Sequence, residues 1–217
     1  MARKHNLTAA LIEYIDTEIL PRYDAFDKAH NRTHAITVLG KSLQLAQHYD
    51  VSAAMVYTIA AYHDCGLVEG REHHHTASAR IIREDKRLKK LFSREEIEIM
   101  ADAVEDHRAS STNPPRTIYG KIVAEADRII DSTTIMTRTI QYGLSHYPTL
   151  TASEHIERAV THIKEKYGEN GYLKLWIPES DNAGKLQQFR TLIDNEPQLI
   201  ERLKQIYNEE THSANHA

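Results

Sequence analysis

Ser52-Ala53-Ala54-Met55-Val56-Tyr57-Thr58-Ile59-Ala60-Ala61-Tyr62-His63-Asp64-Cys65-Gly66 is the stretch from which the rest of the chain can be read. Ser52 can cap a helix, the stripe Met55/Val56, Ile59 and Ala60 has helical spacing, and Gly66 stands where a helix should stop. The stripe does not end on an apolar residue. It runs into His63, with Asp64 directly behind, so a helix end carries an imidazole and a carboxylate on one short piece of backbone. Neutral imidazole and carboxylate are ordinary donors to a divalent cation.

Working outward, the same anomaly recurs. His34 lies one turn before Val38, His107 ends the stripe Ile97, Met100 and Val104, and Asp127 falls between Val123 and Ile130. Taken singly, each is what a hydrogen-bonded structural residue looks like. Together, imidazoles and carboxylates pushed inward from several helices imply a shared cation, because an ionised Asp facing a core is costly without one.

The remaining periodicity is also helical. Leu7, Leu11, Ile15 and Ile19 form a stripe that should stop at Pro21, and Ile36, Leu39, Leu43 and Ala46 form another. Leu67–His74 reads as a polar loop, followed by a short helix from about His75. Ser93 with Glu96 and Thr151 with Glu154 are capping boxes. Tyr172–Ile177 reads as a short extended piece, and Glu209–Ala217 as a flexible tail. Eight glycines and six prolines in 217 residues leave few breaks, which favours long helices joined by short loops. The expectation is an all-α fold in a single domain over 1–217, with a metal-binding core at 24–135, appended helices at 136–208 and the tail at 209–217.

Composition excludes several classes. A net charge of -4 gives no support for a nucleic-acid surface. No apolar run approaches the length of a membrane span, and no secretory leader is evident, so a cytoplasmic protein is expected. The single cysteine, Cys65, cannot form an intrachain disulfide and reads as a small core residue.

At this point the motifs resemble a family. The order His34, His63-Asp64, Asp127 is similar to the HD superfamily of metal-dependent phosphohydrolases. His30-Asn31-Arg32-Thr33-His34 resembles its "H-D-x-x-H" opening, and Ala60–Gly66 its "AAxxHDIG". His75-Thr76-Ala77-Ser78-Ala79 resembles "HxxSA", Ala103–Arg108 resembles "IxxH", and Gly120–Arg128 the segment ending in "DADR". The likeness covers roughly residues 24–135.

The resemblance implies an HD-type helical bundle with additional C-terminal helices. It implies metal ligation by His34, His63, Asp64 and Asp127, with His75 and His107 at a second metal or at the substrate phosphate. Arg108 stands where dinuclear members often carry a second histidine, so we expect one tightly held divalent ion (Mn, Fe, Ni, Co, Zn or Mg). Asp64, His75, His107 and Arg108 are then the catalytic group, since arginine's planar fork suits an oxyanion. Glu69 is a candidate for proton transfer. His73 and His74 read as a polar loop tip, with His74 a candidate for a further site residue. Tyr142, Tyr147, Tyr167 and Trp176 read as core, with a base-binding wall as the alternative.

The expected activity is hydrolysis of a small phosphorylated metabolite, a nucleotide being the favoured class. Monoesterase, diesterase and pyrophosphohydrolase chemistry all stay open. No nucleic-acid or membrane partner is expected, and a homodimer is the oligomeric option. The alternatives are a non-catalytic HD-type ligand-binding or regulatory module, and an oxygenase on the same scaffold.

Overall fold

The computed structural model describes residues 6–27, 30–111 and 113–214. It resolves into two compact units: 1–128 together with 175–180, and 129–174 together with 181–217. No strand occurs among the described residues.

In the first unit, α1 (Ala9–Tyr14) runs into a π-helical turn (Ile15–Ile19) and a 3-10 helix (Leu20–Ala25). Then follow α2 (Arg32–Ala46), α3 (Ala53–Tyr62), a second 3-10 helix (Cys65–Glu69), α4 (His74–Glu84), the short α5 (Leu88–Leu91), α6 (Arg94–Glu105) and α7 (Ile118–Asp127). Helix α3 is the axis: every residue from Ala54 to Tyr62 is buried, as expected for a helix apolar all round. Helices α2, α6 and α7 pack on it, and α4 packs on α6.

Side-chain caps start several of the helices. Side chains of Thr8, Asn31, Ser52 and Thr117 each accept an amide of the first turn. Ser93 and Glu96 form the expected capping box. The opposite end of α6 is gripped by Arg116, whose guanidinium reaches Asp102 at 3.1 Å, Glu105 at 2.7 Å and Asp106 at 2.8 Å.

The second unit comprises α8 (Ser132–His146), α9 (Ala152–Tyr167), α10 (Asn182–Asp194) and α11 (Glu196–Ala214). Its buried side chains include Ile135, Met136 and Ile140 of α8, Ile156, Ala159 and Ile163 of α9, and Leu199 and Leu203 of α11. Thr151 and Glu154 form the second capping box.

Four expectations change. The first stripe is not one helix ending at Pro21: after Tyr14 the chain widens, with Leu20 N–H donating to Ile15 O. Pro21 then begins a 3-10 segment, where its missing N–H is no loss. The α2 stripe is out of phase. Ile36 is 52 % exposed, and the inner face is His34, Ala35, Val38, Ser42, Leu45 and Ala46. That face mixes the small Ala35, Ser42 and Ala46 with Val38 and Leu45, so bulky residues alone do not mark it.

Tyr172–Ile177 forms no ladder. Tyr172 and Leu173 amides donate to the carbonyls of Glu165 and Lys166, and Trp176 and Ile177 amides donate to the Glu125 carboxylate. Helix α11 runs through the expected tail as far as Ala214; residues 215–217 lie outside the described residues.

Candidate metal centre

Helix α3 ends at Tyr62, and the backbone turns at His63 and Asp64, the latter at φ -108°, ψ 5°. Two hydroxyls fasten this turn. Asp64 N–H donates to the Tyr23 hydroxyl at 3.2 Å, and Gly66 N–H donates to Ser78 Oγ at 2.7 Å. Gly66 is required by packing: a Cβ there would lie 2.5 Å from Ser78 N, 2.8 Å from Ala77 Cβ, and closer still to the His74 carbonyl. The absent side chain lets the start of α4 lie directly against the His-Asp turn.

Six donors converge. His34, His63 and Asp127 form one group and Asp64, His74 and His107 another, each with ligand atoms within 4.8 Å of one another. Asp64 faces both. Its Oδ2 is 3.2 Å from His63 Nε2 and 3.8 Å from His34 Nε2, while its Oδ1 is 3.5 Å from both His74 Nε2 and His107 Nε2. Asp127 Oδ1 is 3.1 Å from His34 Nε2 and 3.7 Å from His63 Nε2.

Three of the four donor imidazoles, all but His34, are held by one repeated device. His63 Nδ1 is 2.8 Å from Ala60 O, His74 Nδ1 is 2.7 Å from Arg71 O, and His107 Nδ1 is 2.5 Å from Val104 O. A carbonyl only accepts, so each Nδ1 carries the hydrogen, and His74 and His107 turn their Nε2 atoms toward one another. Those two Nε2 atoms face each other at 3.2 Å, as do Nε2 of His34 and His63. A cation held between such facing nitrogens takes a lone pair from each. The donor chemistry therefore fits divalent ions.

Electrostatics agree. Burial opposes charge on His63, yet the adjacent Asp64 and Asp127 carboxylates raise its pKa to about 9. Burial likewise opposes charge on Asp64 and Asp127, but the surrounding imidazoles hold both below the usual carboxylate range. His74 is pushed down to about 4 by burial and then by His107, so it is neutral and ready to ligate. The site is a pool of negative charge that attracts a cation or, failing that, a proton.

His34, His63, Asp64, His107 and Asp127 are brought together. His75 is not among the donors; His74, one residue earlier, occupies that place. The signal was a helical spacing: His74 lies four residues before the buried Ser78 that binds Gly66, and so shares its face. The imidazole of His75 is 5.5 Å from that of His74, centroid to centroid, and its Nδ1 is buried with no hydrogen-bond partner. Burial and then the Arg108 charge lower its pKa.

Arg108 is near the surface, anchored by Nη1 donating to Glu72 O at 2.7 Å. Glu69 pairs with Arg80, and His73 is largely exposed. Tyr142 and Tyr147 are 41 % and 45 % exposed, so they are not core, whereas Tyr167 is buried against Phe189. Cys65 is buried, as expected. No helix among the described residues is long and apolar enough to cross a membrane.

Comparison with curated proteins and with solved structures returned no match. Comparison with family models returned the HD domain over residues 31–130, a span that takes in all six convergent donors. Residues 31–130 are therefore an HD domain, the unit that defines the HD superfamily.

Proposed function

We propose that this protein is a metal-dependent phosphohydrolase that uses two divalent ions and acts on a small phosphorylated metabolite, with nucleotides as the favoured class. The observation that carries the two-ion reading is Asp64, whose two oxygens face separate pairs of imidazoles. His34, His63 and Asp127 would hold one ion and His74 and His107 the other, with Asp64 between them. Arg108 stands where a second histidine was expected of a two-ion site, yet Asp64, His74 and His107 still form a second donor group. When bound, such ions supply a water of lowered pKa and a Lewis acid for phosphoryl oxygens.

The protein's own groups do the rest. Arg108 presents a guanidinium for the non-bridging oxygens, and its anchor to the Glu72 carbonyl limits its freedom. His75, kept neutral by burial and by that guanidinium, is available to move a proton. The six donors sit at or near helix ends, and the Nδ1–carbonyl bonds of His63, His74 and His107 fix where each of their Nε2 atoms points.

The second reading is an oxygenase. It would need two redox-active metals, which the two donor groups could hold, although Arg108 still stands in place of a second histidine. The guanidinium of Arg108 at the rim favours the phosphate reading. Metal-stripped protein restored with one metal at a time should release phosphate or pyrophosphate from a panel of nucleotides, and Asp64→Ala should abolish it. Substrate-dependent oxygen uptake without phosphate release would replace hydrolysis by the second reading.

A further inference from the structure

We propose that Tyr23 is a positioning residue whose hydroxyl holds the His63–Asp64 turn open, so that the Asp64 carboxylate reaches the donor group containing His74 and His107. This rests on the two-ion reading above. Tyr23 lies 40 residues before the turn in sequence, outside the segment matched to the HD domain, and is fully buried.

In a continuing α-helix, Asp64 N–H would donate to Ala60 O and Cys65 N–H to Ala61 O. Both carbonyls are engaged by side chains instead. Ala60 O accepts from His63 Nδ1 at 2.8 Å, and Ala61 O accepts from the Tyr23 hydroxyl at 3.0 Å. The same hydroxyl oxygen accepts from Asp64 N–H at 3.2 Å, so one phenol stands between a carbonyl and an amide of the last turn. Its ring lies 6.1 Å from the His63 ring and makes an edge contact with Phe26 at 5.5 Å, which fixes the phenol against the turn. Tyr23 lies within the 3-10 helix that follows the π-helical turn, and this irregular segment delivers it to that point.

Asp64 matters unequally to the two donor groups. Without it, the first still has His34, His63 and Asp127. The second has only His74 and His107. Loosening the Asp64 backbone should therefore weaken the second ion selectively, and a general loss of packing would not discriminate. Tyr119 provides the control. Its hydroxyl accepts from Ser52 N–H at 2.9 Å, so it is a phenol that fastens the opposite end of the same helix.

The test is calorimetric titration of metal-stripped protein with Mn2+ alone, on wild type, Tyr23→Phe and Tyr119→Phe. Expected is wild type with two ions, and Tyr23→Phe with the first within about threefold of wild type and the second weakened about 10- to 100-fold. Tyr119→Phe should bind both as wild type does. Two ions bound normally by Tyr23→Phe, or equal weakening of both ions in both variants, overturns the proposal and leaves the two-ion reading standing. A wild type that takes up one ion or none overturns the two-ion reading and the proposal with it. Amide hydrogen exchange reads the same contact without metal and without a variant. The Asp64 amide should be protected in metal-free wild type, and exchange at the rate of an exposed amide would overturn the proposal.

Discussion

Arg108 and Gly66 are residues whose roles can be separated by what each touches. Arg108 contacts the Glu72 carbonyl and is not among the six convergent donors. Arg108→Ala should keep the metal and the fold while kcat/KM falls by about 10- to 1000-fold, the scale for losing one charge contact in the transition state. Arg108→Lys should recover only part, because a point charge does not replace a two-pronged donor. Gly66 acts through space. A methyl group there meets the backbone at the start of α4, which carries His74. Gly66→Ala should cost about 1–3 kcal/mol by overpacking and displace His74. Metal analysis of the folded variant should show bound Mn2+ reduced toward one equivalent. His63 and Asp64 were legible as candidate donors from the sequence because they interrupt an apolar stripe. The choice of His74 over His75 was not, since three consecutive histidines differ only in helical phase, and the first turn of α4 decides it.

At the scale of elements, Asp85 joins α4 to α5 and to the N-terminal segment. Its Oδ2 accepts from the hydroxyls of Tyr14 at 2.6 Å and Tyr62 at 2.7 Å, and its Oδ1 accepts from the amides of Arg87 and Leu88. Burial works against its charge, but these four donors outweigh it and hold the carboxyl below its ordinary value of 3.8. A depressed folded-state pKa means that the charged form stabilises the fold above about pH 3.8 and that this contribution is lost as pH falls through the folded-state value. Asp85→Asn should therefore be less stable than wild type at pH 7, and the gap in urea midpoint should narrow as pH is lowered below about 4. An unchanging gap would show that the charge of Asp85 contributes nothing. Caps and stripes made most helices readable from sequence: Ser52, Ser93 and Thr151 stand where they were expected. The N-terminal stretch was not readable, because a π turn keeps Ile15 and Ile19 buried just as a regular helix would, and periodicity does not register the one-residue shift.

At the scale of the molecule, metal binding should stabilise the first unit, since ligands from α2, α3, α4, α6 and α7 or their ends must be assembled before an ion is held. The chain's one tryptophan, Trp176, belongs to that unit. Thermal unfolding followed by its fluorescence should shift upward when metal-stripped protein is given Mn2+, by about 2.7 kcal/mol of stability at 100 times Kd. A midpoint indifferent to Mn2+ would mean that the donors do not bind it. By itself the sequence determined the all-α class, the helix starts and the residue types of the site, because caps, apolar period and inward-facing polar groups are local properties written within a few turns. Only the tertiary structure decided that Asp64 stands between two groups of imidazoles, that Gly66 admits α4, and that Tyr23 fastens the turn. Those facts depend on which segments approach one another across long loops, and no local periodicity encodes such approaches.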